Sequence, residues 1–156
     1  MANQDAAFGL KPSSKLGSNV NSEGTTEYSI ASGASGNIFS GDPVKMANTG
    51  TILVAAAGDQ LLGVFRGCRY TNASGEVIYS AYWPDGTVSS DAVAFVVDDP
   101  NALFEVQSAA TGSVVQTVVG NNADIVYASG STSDGQSGVE ISGTTAATSA
   151  QLRIVG

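Results

Sequence analysis

Apolar residues in this chain come in short runs broken by Gly, Asp, Asn and Pro at intervals of about 8–12 residues, the rhythm of a barrel or sandwich of short strands. The pattern is densest between Asn37 and Ser108. Ile38–Phe39 precedes the turn Gly41-Asp42-Pro43, and Val44–Ala47 leads into Asn48-Thr49-Gly50. Thr51–Ala56 ends at Gly58-Asp59, and Leu61–Tyr70 runs up to Asn72-Ala73-Ser74-Gly75. Glu76–Trp83 returns from that turn and stops at Pro84-Asp85-Gly86. Each break uses residues that supply a positive or preset φ.

Alternation within two runs is informative. From Leu61 to Tyr70 it puts Leu62, Val64 and Cys68 on one face and Leu61, Phe65 and Arg69 on the other. From Ala92 to Val97 it puts Val93, Phe95 and Val97 opposite Ala92, Ala94 and Val96. Strands apolar on both faces are covered on both sides, so a second layer or a neighbouring subunit is expected. Gly63 and Gly67 would let another backbone come close. Val114, Val115, Val118 and Val119 recur at helical spacing, Ser113 and Gln116 fit a capping box and Gly120 fits a stop, so one short helix is expected there. Ile125–Ala128, Val139–Ser142 and Gln151–Val155 read as later strands, with polar surface loops at Ser129–Gly138 and Gly143–Ser149.

Residues 1–36 are poor in large apolar groups. From Ser13 to Gly36 only Leu16, Val20, Tyr28 and Ile30 offer anchors, and such a segment does not bury enough surface to fold alone. Residues 1–26 therefore read as a polar N-terminal arm and 27–156 as a single β-rich domain, with Tyr28–Ala31 a possible first strand. The fold expected is all-β: a small barrel or sandwich with one short helix and an extended arm.

Charge narrows the function. The net charge is −8, and the second half carries most of it: residues 79–156 hold Arg153 alone against eight acids. Phosphate contacts need Lys and Arg, and with six in all, no nucleic-acid partner is expected. The first twelve residues lack the apolar core of a signal peptide, and no apolar run approaches the roughly 20 residues of a membrane span. Cys68 is the sole cysteine and sits in a strand-like run, which fits a buried, inert thiol.

The chain contains no histidine, so it lacks the usual general base and the commonest metal ligand. No zinc-type cysteine spacing and no phosphate-binding glycine motif occurs. Asp98-Asp99 before Pro100, with Asp91, could offer oxygen ligands to a cation. The same residues also make a common strand-ending turn, the favoured reading. Asn72-Ala73-Ser74 matches a glycosylation acceptor but fits a hairpin loop. Tyr79 and Trp83 would share a face with Val77 and Ala81, suiting core or interface packing better than stacking on a sugar or base. No catalytic, cofactor-binding or metal residues are assigned, and no cofactor is expected.

Several segments together resemble small structural proteins of tailed bacteriophages, among them capsid decoration, or cement, proteins. They are MANQDAAFGLKP, GDPVKMANTGTILVAAAGDQLLGVFRG, SAYWPDGT, VAFVVDDPNALFEVQ, GNNADIVYASGSTSDGQSGVE and QLRIVG. The resemblance implies a virion protein on the capsid surface, made in the host cytoplasm. It further implies the major capsid protein as partner, self-association as a trimer, no membrane, and no catalytic residues. Another virion role (shell subunit, or tail or fibre module) is the first alternative, and a β-rich hydrolase the second.

Overall fold

A computed structural model describes residues 5–17, 24–110, 114–146 and 149–156. The fold is all-β. Its strands are β1 (Lys11–Lys15), β2 (Thr26–Ser29), β3 (Pro43–Met46), β4 (Ile52–Val54), β5 (Gly63–Thr71) and β6 (Val77–Ser80). β7 (Val93–Val97), β8 (Ala102–Glu105), β9 (Asn122–Ala123), β10 (Ile125–Val126), β11 (Glu140–Ile141) and β12 (Leu152–Arg153) follow.

The main sheet has the order β2-β7-β5-β3-β4, with β6 also on β5. All its pairings are antiparallel. β5 has β7 along one edge and divides the other between β3 at its start and β6 at its end. The sheet stays open and does not close into a barrel. Three two-stranded sheets accompany it: β1 with β8, β10 with β11, and β12 with β9.

Two cores flank β5. The first gathers Ile30, Ile38, Val44, Ile52, Phe65, Cys68, Trp83, Ala92, Ala94 and Val96. The second gathers Leu10, Ala55, Val64, Ile125 and Val139, with Phe104, Val106 and Leu152 packed against it. The expectation of strands covered on both faces holds at the start of β5, where Val64 faces one core and Phe65 the other. On the neighbouring β6, Val77 and Tyr79 are exposed.

The face assignment within β5 also changes. Phe65 pairs with Val96 and Gly67 with Phe95, so Arg66 is an extra, exposed residue in the ladder. Such a bulge shifts the alternation by one, and Phe65 and Cys68 enter the same core. Gly63 and Gly67 do permit close approach. A Cβ at Gly63 would overlap the Val97 carbonyl oxygen, and one at Gly67 would lie 3.0 Å from that of Ser80.

Three other expectations are corrected. The helix over residues 114–119 is only a 3-10 turn, Gln116–Val118, and it buries none of its residues. Val115 at its start makes no side-chain cap, and Ser113 lies outside the described residues. Valine loses side-chain freedom in a helix, and no core packing compensates here. Tyr79 and Trp83 do not share a face. β6 ends at Ser80, whose hydroxyl donates to the Tyr82 carbonyl (2.6 Å), and Trp83 instead bridges to Ile38 and is wholly buried. The 129–138 loop is not wholly surface: Ser40 bridges to Gln136, and Gly135 and Ser137 are buried. Within the segment expected as an arm, Leu10 is buried and β1 pairs with β8. Val20 lies outside the described residues.

Candidate functional site

The acidic candidates are each occupied by protein donors. Asp98 accepts from the Tyr28 hydroxyl (2.7 Å) and the Thr26 hydroxyl (3.0 Å). That carboxylate raises the Tyr28 phenol pKa, chiefly through the hydrogen bond. Asp99 pairs with Lys15 (2.5 Å) and accepts the Asn101 amide (2.8 Å), contacts that lower its pKa. Asp91 accepts from the Ser89 hydroxyl (2.6 Å) and from the Thr71 hydroxyl and amide (2.6 and 3.0 Å). These bonds favour its charged form and bring its pKa down to about 2. Among the described residues no three acidic or thiol groups converge to hold a metal. The two aspartates of the Asp-Asp-Pro turn tie β2 and β1 to the end of β7.

Asn72 closes the β5–β6 hairpin. Its side-chain carbonyl accepts the Ser74 and Glu76 amides (both 2.9 Å). Cys68 is buried, its thiol donates to the Tyr82 carbonyl at 3.4 Å, and burial pushes its pKa up to about 12. A thiol so held is a poor nucleophile.

One buried acid was read from the sequence only as a turn residue. Asp42 has no exposed surface. One carboxylate oxygen accepts the Phe39 amide (2.8 Å), and the other finds no hydrogen-bond donor among the described residues. Burial raises its pKa, and the nearby Ser137 hydroxyl and the Phe39 amide offset part of that rise. The surrounding backbone is close-packed: the Leu10 amide donates to Gly41 (2.9 Å), and a Cβ at Gly9 would strike the Gly41 carbonyl and Ser137. Asp42 thus belongs to a crossing of three chain segments.

A cleft of about 950 Å³ lies beside the second core. Leu103 and Phe104 of β8 form part of its lining, with Phe8 and Leu16 at either end of β1 and Val115 and Val118 of the 3-10 turn. Ile154 and Val155 line it after β12. Leu16, Val114, Val115 and Val155 each expose about half or more of their surface there. Asp98, Asp99, Glu105 and Arg153 supply charge around the apolar lining. No histidine, cysteine or close pair of unpaired carboxylates enters it. The arrangement suits apolar contact with another surface. Sequence reading missed this cleft because its walls come from both ends of the chain. The Phe8–Leu10 apolar pair ahead of Pro12 was the one local signal.

No protein-family model, no curated protein and no solved structure matches this chain.

Proposed function

We propose that this protein decorates the outside of a phage head and braces it, acting by contact and not by catalysis. The observation that carries this reading is the apolar cleft with its exposed rim of Leu16, Val114, Val115 and Val155. Exposed apolar surface of this kind marks association. The resemblance of the segments quoted above to phage structural proteins supplies the partner class, the major capsid protein, and the virion location. Trimers suit the three-fold positions of a shell, where modest contacts by each copy sum through avidity.

The test uses particles lacking the protein. Purified protein should bind them saturably, at sites repeating with shell symmetry, and raise the temperature at which DNA escapes, since a ligand of the assembled state stabilises that state. Leu16→Lys with Val115→Lys should weaken binding at least tenfold while leaving the melting temperature of the free protein unchanged. Particles that neither bind the wild type nor gain stability, at concentrations well above micromolar, would overturn the reading in favour of a tail or fibre role.

A further inference from the structure

We infer that β6 is a self-pairing edge, through which a second copy of this chain adds its own β6 antiparallel to the first. The hydrogen-bond phase of the β5–β6 hairpin points to it. The Asn72 amide donates to the Glu76 carbonyl (2.9 Å), which makes Asn72/Glu76 a hydrogen-bonded pair. Hydrogen-bonded pairs alternate along an antiparallel ladder, so Tyr70/Ile78 and Cys68/Ser80 are the next ones. The intervening partners, Val77 and Tyr79, turn their N–H and C=O away from β5. The other side of β5 agrees with this phase: the Thr71 amide points away from β6 and donates to Asp91. Among the described residues no strand pairs with β6 other than β5.

Natural edges are guarded by charge, proline or a covering element. β6 reads Val-Ile-Tyr-Ser, with no charge and no proline. Val77 and Tyr79 are 54% and 72% exposed on the side facing away from the first core. The other edges of the main sheet are guarded. β2 carries Glu27. β4 is three residues long, and the turn after it is held by the Gln151 side-chain amide through the carbonyls of Ala56 and Asp59.

The occupant is a second copy because the edge is complementary to itself. With a two-fold axis at Ile78, Val77 faces Tyr79 of the second copy, and Tyr79 faces Val77 of the second copy. Each such pair exchanges two main-chain hydrogen bonds, and the exposed aromatic lies beside the exposed β-branched residue across the junction, a favourable cross-strand pair. This is the reciprocal contact that a two-fold interface requires. Two four-residue edges fall short of the roughly 1,200 Å² that stable interfaces bury, so the pairing is weak in free solution. Each copy carries −8 in net charge, so salt screens the repulsion and strengthens the pairing. On a shell, where the proposed function would hold copies side by side, the same contact would link neighbours into a net; that last step rests on the proposed function.

Sedimentation equilibrium and disulfide trapping test the inference. Ile78→Cys should give a two-chain product under mild oxidation, because it sits opposite itself at a non-hydrogen-bonded position. The wild type, whose lone thiol is buried, should not. The average mass of the wild type should rise with concentration, more steeply at high salt. Val77→Lys with Tyr79→Lys should abolish that rise without changing the far-ultraviolet circular dichroism. The single Val77→Lys variant serves if the double one misfolds. Trapping that fails at every concentration, or self-association unaltered by the lysines, would overturn the inference. Wild type that self-pairs yet ignores particles would instead sink the decoration reading and leave the edge pairing standing.

Discussion

Phe65 and Cys68 lie three residues apart on one strand and enter the same core, because Arg66 bulges between them. Simple alternation would put them on opposite faces. Ahead of the bulge, plain alternation lets β5 serve both cores, with Val64 facing the second and Phe65 the first. Phe65→Ala should cost about 3–5 kcal/mol, as for other fully buried aromatics, whereas Arg66→Ala at the exposed bulge should cost under about 0.5 kcal/mol. Deleting Arg66 should cost less than Phe65→Ala, since Phe65, Gly67 and Cys68 already oppose consecutive residues of β7 and would keep their partners and faces in a regular ladder. Urea denaturation of the three variants checks the order.

Leu10 ties the start of the chain to the second core, and β1 pairs with β8 some ninety residues later. Leu10→Ala should destabilise by about 2–5 kcal/mol. Removing residues 1–16 should go further, by exposing the free edge of β8 and the apolar side of Phe104. A truncated protein that melts with the wild type would show that β1 adds nothing to the domain.

Asp42 and Asp91 pull stability in opposite directions with pH. Burial raises the Asp42 pKa above its ordinary 3.8, so the folded state holds that proton more tightly than the unfolded one. Its contribution therefore grows as pH falls from neutrality through its folded pKa towards 3.8. Asp91, at about 2 in the fold, contributes stability present above 3.8 and lost as pH falls through that interval. Asp59 and Asp99, lowered by hydrogen bonds from Lys45 and Lys15, act in the same sense as Asp91. Melting temperature should thus peak in mild acid. Asp42→Asn keeps an acceptor for the Phe39 amide without the charge, so it should raise the melting temperature at pH 7 and flatten the slope between neutral and mild acid. A slope unchanged in Asp42→Asn would assign it to other groups.

Cys68 should resist modification in the native state. Its thiol is buried and its pKa is near 12. At pH 8 a disulfide reagent should react only at the rate at which the first core opens, and immediately in denaturant. Rapid stoichiometric labelling of folded protein would contradict the packing of β5 against Trp83.

The local parts of this fold were legible in the amino-acid order. Turn residues with preset or positive φ marked where strands stop, as at Gly41-Asp42-Pro43 and at the Asn72 hairpin, because those preferences act over a few residues. Alternation in Ala92–Val97 identified the residues that reach the first core, because side chains on a strand repeat every second position. The absence of histidine told against the commonest acid–base chemistry before any geometry was known. What alternation did not reveal was the extra residue at Arg66, since a bulge is defined only against the strand it pairs with. The cleft, the burial of Asp42 and the pairing of β1 with β8 were likewise decided by tertiary structure. Each depends on segments far apart in sequence meeting in space: Gly9 with Gly41 and Ser137, Leu16 with Val115 and Ile154. Local order fixes where a strand can form and which side chains share its face. Which strand lies beside it, and what surface remains open afterwards, is set by how the whole chain shares out its apolar area.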